Sequence, residues 1–449
     1  MDTVTVDTIL LHVRESLEHN DVPEAIRIIE ALLPADQADV FEELEPEHQE
    51  ILLPQLAAED AADILEELDD ADAADLASRL DGGSLAQIVA EMEPDEVADL
   101  LGDLDPTLST AMLAQLEEAD DVRPLLLHQD QTAGGLMTSE YLAFPQAMRV
   151  SQAMAAIREW EPRGPETPRI FVVNGGRRLV GQVGLMRLVR AEPAQRLREL
   201  MEPDVLRVHA SDDQETAARL MSRYDLPVVP VVDDDERLVG VITVDDLIEV
   251  LEDEATEDIQ RIGGAEPLDR PYLDSSVRAT AWKRIGWLLL LFVTGTLTGS
   301  VISLFQDDLN RVVALSLFIP LLIGTGGNAG TQTTTTIIRA LGVGDITLRD
   351  TLHVLWHEFR TALILGALLS IVAFIRAVTW VDSPLVAAVV SGSIFAIVLW
   401  ANGVGSLLPL LAARFKVDPA LVSGPLMSTL VDATGLLIYF TIAQVVLGL

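Results

Sequence analysis

Residues 423–449, SGPLMSTLVDATGLLIYFTIAQVVLGL, are nearly all apolar and about as long as a bilayer is thick, yet Asp432 stands in their middle. A carboxylate in hydrocarbon costs roughly 2.5–3.5 kcal/mol on insertion scales, and such groups commonly mark ion or proton paths. No Lys or Arg lies at comparable depth in any apolar stretch, Arg360 coming nearest. The counter-charge is then expected to be a cation in transit. A second stretch, IPLLIGTGGNAGTQTTTTIIRAL (residues 319–341), carries Gly324, Gly326, Gly327 and Gly330, the amides Asn328 and Gln332, and four threonines at 333–336. Helix packing through small residues accounts for the glycines. Amides at membrane depth are tolerated where they line a protein cavity or a wet path. Gly327, Asn328 and Gln332 are therefore expected to line a passage.

The donors are all oxygen. Carboxylate, carbonyl and water suit Mg2+, Ca2+ or Mn2+ rather than zinc. Mg2+ keeps most of its waters, so one or two carboxylates suffice. Two chains meeting on a two-fold axis would present Asp432 twice. Asp307, Asp308, Asp345, Asp350, Glu358, Asp382 and Asp418 fall at the ends of apolar stretches or in loops. Other motifs weigh less. GVGD (342–345) follows Arg339 in a loop, and no other span holds a partner aspartate with the flanking residues that an intramembrane aspartyl protease needs. His353 and His357 stand four apart in HVLWHE, which is not H-E-x-x-H, and interfacial packing accounts for them. In GVITVDD (240–246), Thr243 and Asp246 can either hold a ribose, with phosphates at a helix N-terminus, or cap that helix.

Five apolar stretches, near 285–305, 312–338, 353–376, 384–411 and 422–447, are long enough to span a bilayer. Arg278, Lys283, Arg284, Arg339, Arg349, Arg414 and Lys416 fall on one side and Arg311 and Arg376 on the other. That bias puts the residues before the first span in the cytoplasm and the C-terminus outside. The N-terminus starts acidic, without the basic region of a secretory signal.

The chain of 449 residues has a formal net charge of -41 and no cysteine, which excludes disulfides and thiolate metal sites. The charge is segregated: residues 1–279 hold 21 basic and 63 acidic residues, and the remainder nine and eight. Such a polyanionic part repels nucleic acid and anionic lipid and attracts cations. With only two lysines, Lys283 and Lys416, it is also what a salt-adapted cytosolic protein shows.

Apolar residues recur every twelve positions at Leu32, Leu44, Leu56, Leu68, Leu80, Met92, Leu104 and Leu116, with turn or cap residues often two positions later. This predicts short helices stacked into a superhelical array over residues 1–130, acidic on the outside. Beyond it, FVVNGGRRLVGQVGLMRLV and PVVDDDERLVGVITVDDLIEV align at an offset of 59, so that Val173 matches Val232, Leu179 matches Leu238 and Gly181 matches Gly240. Each half predicts strand, turn, strand, helix, an α/β module duplicated in tandem over 131–201 and 202–253. At that offset Thr243 and Asp246 correspond to Gly184 and Arg187, so only the second half keeps the possible ribose ligands. VDDLIEVLEDEATEDIQRI (244–262) predicts an acidic helix, with a linker to about 284 and the pore domain over 285–449. Glu249, Asp253 and Glu257 stack four apart there, as do Glu254 and Asp258, and like charges at that spacing destabilise a helix unless cations bridge them.

This ordering of acidic helical repeats, tandem CBS-like modules, acidic connecting helix and five-helix all-α transmembrane domain resembles the MgtE family of magnesium channels over essentially the whole chain. AGGLMTSEY, VDDLIEVLEDEATEDI, PLLIGTGGNAGTQ and DPALVSGPLMSTLVDATGLLIYF carry the likeness. The resemblance implies a homodimer in the plasma membrane with a pore on its two-fold axis. Asp432 would bind the ion and Asp418 would lie near the cytoplasmic mouth. Regulatory Mg2+ would bind between the array, the CBS pair and the connecting "plug" helix, at Asp63, Asp95, Asp99, Glu215, Asp225, Asp246, Glu249, Glu254, Glu257 and Asp258, and high internal Mg2+ would hold the pore shut. Some members bind ATP in the CBS pair, which makes ATP a second expected ligand. The function implied is a cytoplasmically gated, Mg2+-selective uptake channel, not an enzyme. The rivals are a transporter or exporter of Mn2+ or Co2+, and a nucleotide sensor whose spans only anchor it.

Overall fold

The computed structural model describes residues 3–116, 119–160, 162–163, 169–268, 272, 275–421 and 424–449, so part of the linker 263–284 lies outside it. The chain forms two units, Met1–Glu252 and Asp253–Leu449.

In the first unit the helices α1 (Thr3–Glu18) and α2 (Val22–Ile29) lead into the repeats: α3 (Pro34–Glu42), α4 (Pro46–Leu52), α5 (Ala58–Glu67), α6 (Asp70–Arg79), α7 (Gly82–Val89), α8 (Pro94–Asp103) and α9 (Pro106–Leu113), followed by the short α10 (Ala119–Val122). Every helix from α3 to α9 starts two residues after one of the twelve-spaced apolar positions. Leu56, Leu68, Leu80 and Leu104 are extended, which ends one helix and points the next. Pro34, Pro46, Pro94 and Pro106 open theirs, where a missing N–H costs nothing. Helices pack on the next but one, α3 on α5 on α7 and α4 on α6 on α8, around a core that includes Phe41, Leu52, Leu53, Ile64, Leu76 and Leu85.

The tandem modules follow as β1 (Ala143–Pro145), α11 (Val150–Arg158), β2 (Arg169–Val173), β3 (Leu179–Gly184), α12 (Leu185–Val189) and α13 (Leu197–Leu200), then β4 (Val208–His209), α14 (Gln214–Tyr224), β5 (Val228–Val232), β6 (Leu238–Thr243) and α15 (Val244–Ile262). The offset of 59 maps β2 onto β5 and β3 onto β6 residue for residue, including the irregularity at Val172/Val173 and Val231/Val232. The expected strand-turn-strand-helix unit is incomplete: each half begins with an extra strand, β1 or β4, parallel to the next. These strands have three and two residues, too few to show an alternation. The halves meet symmetrically, since Arg178 bridges Arg237, Leu179 N donates to Glu236 O (3.1 Å) and Leu238 N to Arg177 O (3.0 Å). Thr138 pairs with Val241 of the second half, and Glu202 with Gln182 of the first.

The second unit holds the end of α15, then α16 (Val277–Leu304), the short α17 (Gln306–Arg311), α18 (Ile319–Gly342), α19 (Thr351–Trp380), α20 (Pro384–Arg414) and α21 (Gly424–Leu447). Five helical segments are long and apolar enough to cross a membrane: Val277–Leu304, Val313–Gly342, Leu348–Trp380, Pro384–Arg414 and Gly424–Leu447. Helices α18, α20 and α21 pack closely on one another, and α19 on α20. Several buried polar groups here are paired, as groups away from water usually are. Thr333 Oγ1 donates to Asn402 Oδ1 (2.7 Å), Thr334 Oγ1 to Gly405 O (3.2 Å) and Tyr439 Oη to Leu315 O (2.9 Å). Thr333 and Thr334 therefore serve packing between α18 and α20.

Candidate functional site

Asp432 lies on α21 where that helix meets α18. Its side chain is half-buried, and Oδ1 is fully buried with no hydrogen-bond partner. Among the described residues no Lys, Arg or His forms an ion pair with it. Gly327 faces it: a Cβ there would lie 3.7 Å from Asp432 Oδ1 and 3.2 Å from Ser428 Oγ. Thr331 Oγ1 donates to Gly424 O (3.3 Å) and lies 3.4 Å from Ser428 Oγ, which adds hydroxyl and carbonyl oxygens to the same seam.

Asn328 and Gln332 are exposed on α18, and Thr336 and Arg339 extend the stripe toward its end. The opposite face of α18 is buried, with Gly326, Gly330, Thr333 and Thr334 inside. Two amides four residues apart on an open face at mid-span are costly against lipid, since each needs hydrogen-bond partners. An aqueous passage or a second protein surface satisfies them. Gly342 to Asp345 form the end of α18 and the loop after it, and His353 and His357 are exposed, His357 Nδ1 lying 3.5 Å from Glu358 Oε1.

A second concentration of carboxylates lies within the first unit. Asp95 is buried on α8 with Oδ1 unpartnered, and it hydrogen-bonds Thr138. Burial first, then the Asp246 charge, pushes its pKa up to about 8. Glu93 rises to about 9 by burial and the charge of Asp95, and Glu96 to about 10 by burial and Asp95. Asp99 rises through desolvation by its surroundings and then Asp70, although its side chain remains accessible. Asp246 and Glu66 are raised by burial, and Asp63 by burial and Asp60. Glu249 adds its charge to that on Glu96. Glu66 Oε1 also accepts from Glu93 N at 2.7 Å. Asp63, Asp95, Asp99, Asp246 and Glu249 are among the ligands that the family resemblance implies, whereas Glu66, Glu93 and Glu96 are not. Nothing in a chain of acidic surface helices marks which glutamates fold inward. Oxygen donors, crowding and an orphaned carboxylate oxygen fit a hard divalent cation.

Other expected ligands are engaged differently. Glu215 pairs with Arg219 on α14 (2.9 Å), and Asp225 ends that helix in the left-handed region at φ 50. Thr243 N and Oγ1 both donate to Asp246 Oδ2, at 3.1 and 2.7 Å, which is the capping alternative. Glu254 is half-buried on α15. In the second unit Asp418 and Glu257 both contact Arg261, and Asp258 is raised by burial and then by Asp418. A separate trio at the array surface, Glu42, Asp69 and Asp72, brings carboxylate oxygens within 4.8 Å of one another.

Residues 319–442 match the family model described as MgtE divalent cation transporter, 15–130 the MgtE intracellular N domain and 197–253 a CBS domain. The magnesium transporter MgtE of Thermus thermophilus is 43% identical over 327 residues, covering 73% of this chain and 72% of that protein. The chain belongs to the MgtE magnesium transporter family. The MgtE of Bacillus subtilis is 35% identical over 329 residues, covering 73% and 72%. Among solved structures, the cytosolic domain of the Mg2+ channel MgtE in complex with ATP is similar at 33% identity and a TM-score of 0.51, covering 54% of this chain and all but 1% of that one (99%). As an MgtE-family protein the chain is a multi-span membrane transporter, and its named relatives are transporters rather than enzymes.

Proposed function

We propose that this MgtE-family protein is a Mg2+-selective uptake channel, gated from the cytoplasm and closed when internal Mg2+ bridges its acidic segments. The observation that carries it is the unpartnered Asp432 oxygen, buried beside Gly327 on a helix whose exposed face carries Asn328 and Gln332. A hydrated Mg2+ needs only a few protein oxygens, and two protomers would bring two Asp432 carboxylates. A homodimer with the amide stripes facing each other also removes the cost of exposing them. The Lys/Arg bias of the span ends supports a cytoplasmic first unit and an external C-terminus.

Gating would use Glu66, Glu93, Asp95, Glu96, Asp99, Asp246 and Glu249 in the first unit, and Glu254, Glu257, Asp258 and Asp418 in the second. Bound cations would offset the burial and like-charge repulsion that raise Glu66, Glu93, Asp95, Glu96, Asp99, Asp246 and Asp258. ATP, present in the solved MgtE relative, is proposed as a ligand of the tandem modules. A ribose at Thr243 and Asp246 would have to displace the cap they form. The test is Mg2+ flux into proteoliposomes, with the Mg2+ facing the first unit varied and Mn2+ and Ca2+ as competitors. Absence of flux sinks the channel reading, and flux indifferent to that Mg2+ sinks the gate.

A further inference from the structure

Within the second unit, the carboxylate at the turn between α20 and α21, Asp418, already holds a cation, and it belongs to the chain. Arg261 Nη1 donates to Asp418 Oδ2 at 2.5 Å, and Nη2 pairs with Glu257 one turn back on α15. Asp418 Oδ1 is taken by Ala420 N at 2.8 Å, so Oδ2 is the oxygen presented outward, and the guanidinium occupies it. Asp258 senses the same group: Asp418 and Glu257 raise it after burial, while Arg261 and Arg339 oppose them. Three carboxylates thus face two arginines.

The guanidinium is delivered by a fixed turn. Ala265 N donates to Gln260 O (3.0 Å), Leu268 N to Gln260 Oε1 (2.9 Å) and Glu266 N to Lys283 O (3.0 Å). Gly264, at φ 75, lies where any side chain would strike the Trp287 indole. A forked guanidinium held this way is a strong partner for carboxylates. A hard divalent ion wants the same oxygens.

We infer that Arg261 is a tethered competitor for Asp418 and Glu257, so that it sets the Mg2+ concentration at which the passage closes. The inference rests on the gating role proposed above. Mg2+ must displace the guanidinium before it can bridge α15 to the α20–α21 turn, and its apparent affinity falls by the fraction of time the carboxylates are vacant.

The experiment compares the wild-type full chain with Arg261→Gln in proteoliposomes, recording flux against internal Mg2+. The half-closing concentration should fall about tenfold, equivalent to about 1.4 kcal/mol. Arg261→Lys, charged but without the fork, should fall less. Arg261→Gln combined with Asp418→Asn should lose the shift. A half-closing concentration that is unchanged or higher in Arg261→Gln overturns the inference and makes Arg261 a structural staple. Mn2+ binding to the full chain in detergent, followed by electron paramagnetic resonance, needs no gate. Arg261→Gln should gain affinity at a site that Asp418→Asn abolishes, and an unchanged isotherm also overturns the inference. If internal Mg2+ never closes the wild type, the gating proposal fails, and the Mn2+ isotherm alone decides the competition.

Discussion

Gly327 and Asp432 face each other across the α18–α21 seam, so closely that a methyl group at Gly327 would touch Ser428 Oγ at 3.2 Å and stand 3.7 Å from Asp432 Oδ1. Gly326, one residue earlier, meets apolar atoms instead: a Cβ there would lie 2.6 Å from Ile397 Cγ2 and 2.8 Å from Val431 Cγ1. The two neighbours should therefore fail in different ways. Gly326→Ala should destabilise the bundle by about 1–3 kcal/mol through overpacking, read as a lower melting temperature. Gly327→Ala should melt close to wild type but lose most of its Mg2+ flux, because the methyl would crowd the seat proposed for the ion. Equal flux loss at equal stability loss would refute the distinction.

Asn402 is fixed at both ends of its amide, accepting from Thr333 Oγ1 at 2.7 Å and donating to Val398 O at 2.8 Å. Asn402→Leu should leave the buried Thr333 hydroxyl without its closest acceptor and cost about 1–3 kcal/mol. The double change Thr333→Val with Asn402→Leu should recover part of that loss. A double-mutant cycle on thermal stability checks this, and strict additivity would contradict the pairing.

The carboxylates around Asp95 make a pH prediction. Glu93, Asp95 and Glu96, pushed up to about 9, 8 and 10, keep their protons in the folded protein at pH values where the unfolded chain has lost them. Folding therefore weakens as pH rises from the ordinary carboxylate range, near 4, toward those raised values. In EDTA the full chain should melt lower at pH 8 than at pH 5.5, at roughly 2–4 °C per kcal/mol for a unit of this size. Saturating Mg2+ should erase most of that difference by binding the ionised form. Stability that rises with pH in EDTA would show that these groups do not repel one another. Molar KCl matching the effect of millimolar Mg2+ would favour salt adaptation over cation sensing.

Much of this organisation is legible in the sequence, for physical reasons. The twelve-residue spacing survives because each short helix must bury an apolar residue where it turns into the next, and the helix starts at 34, 46, 58, 70, 82, 94 and 106 follow it. The offset of 59 survives because the two modules pair through equivalent residues, Arg178 with Arg237. Asp432 stands out because no other carboxylate occurs at the centre of a span. The strands β1 and β4 are too short for a pattern. Glu66, Glu93 and Glu96 carry no local mark, since their burial depends on contacts from distant segments. Asp418 could be located by family likeness, whereas its partner Arg261 could not, because their pairing spans 157 residues.

The central claim is that Asp432 binds the permeating ion. The direct measurement is Mg2+ uptake into proteoliposomes by Asp432→Asn beside the wild type, with assembly checked by light scattering of the detergent-solubilised protein. Uptake should fall to the level of empty liposomes while the oligomeric mass stays unchanged. Wild-type uptake by a properly assembled Asp432→Asn protein would remove this carboxylate from the ion's path.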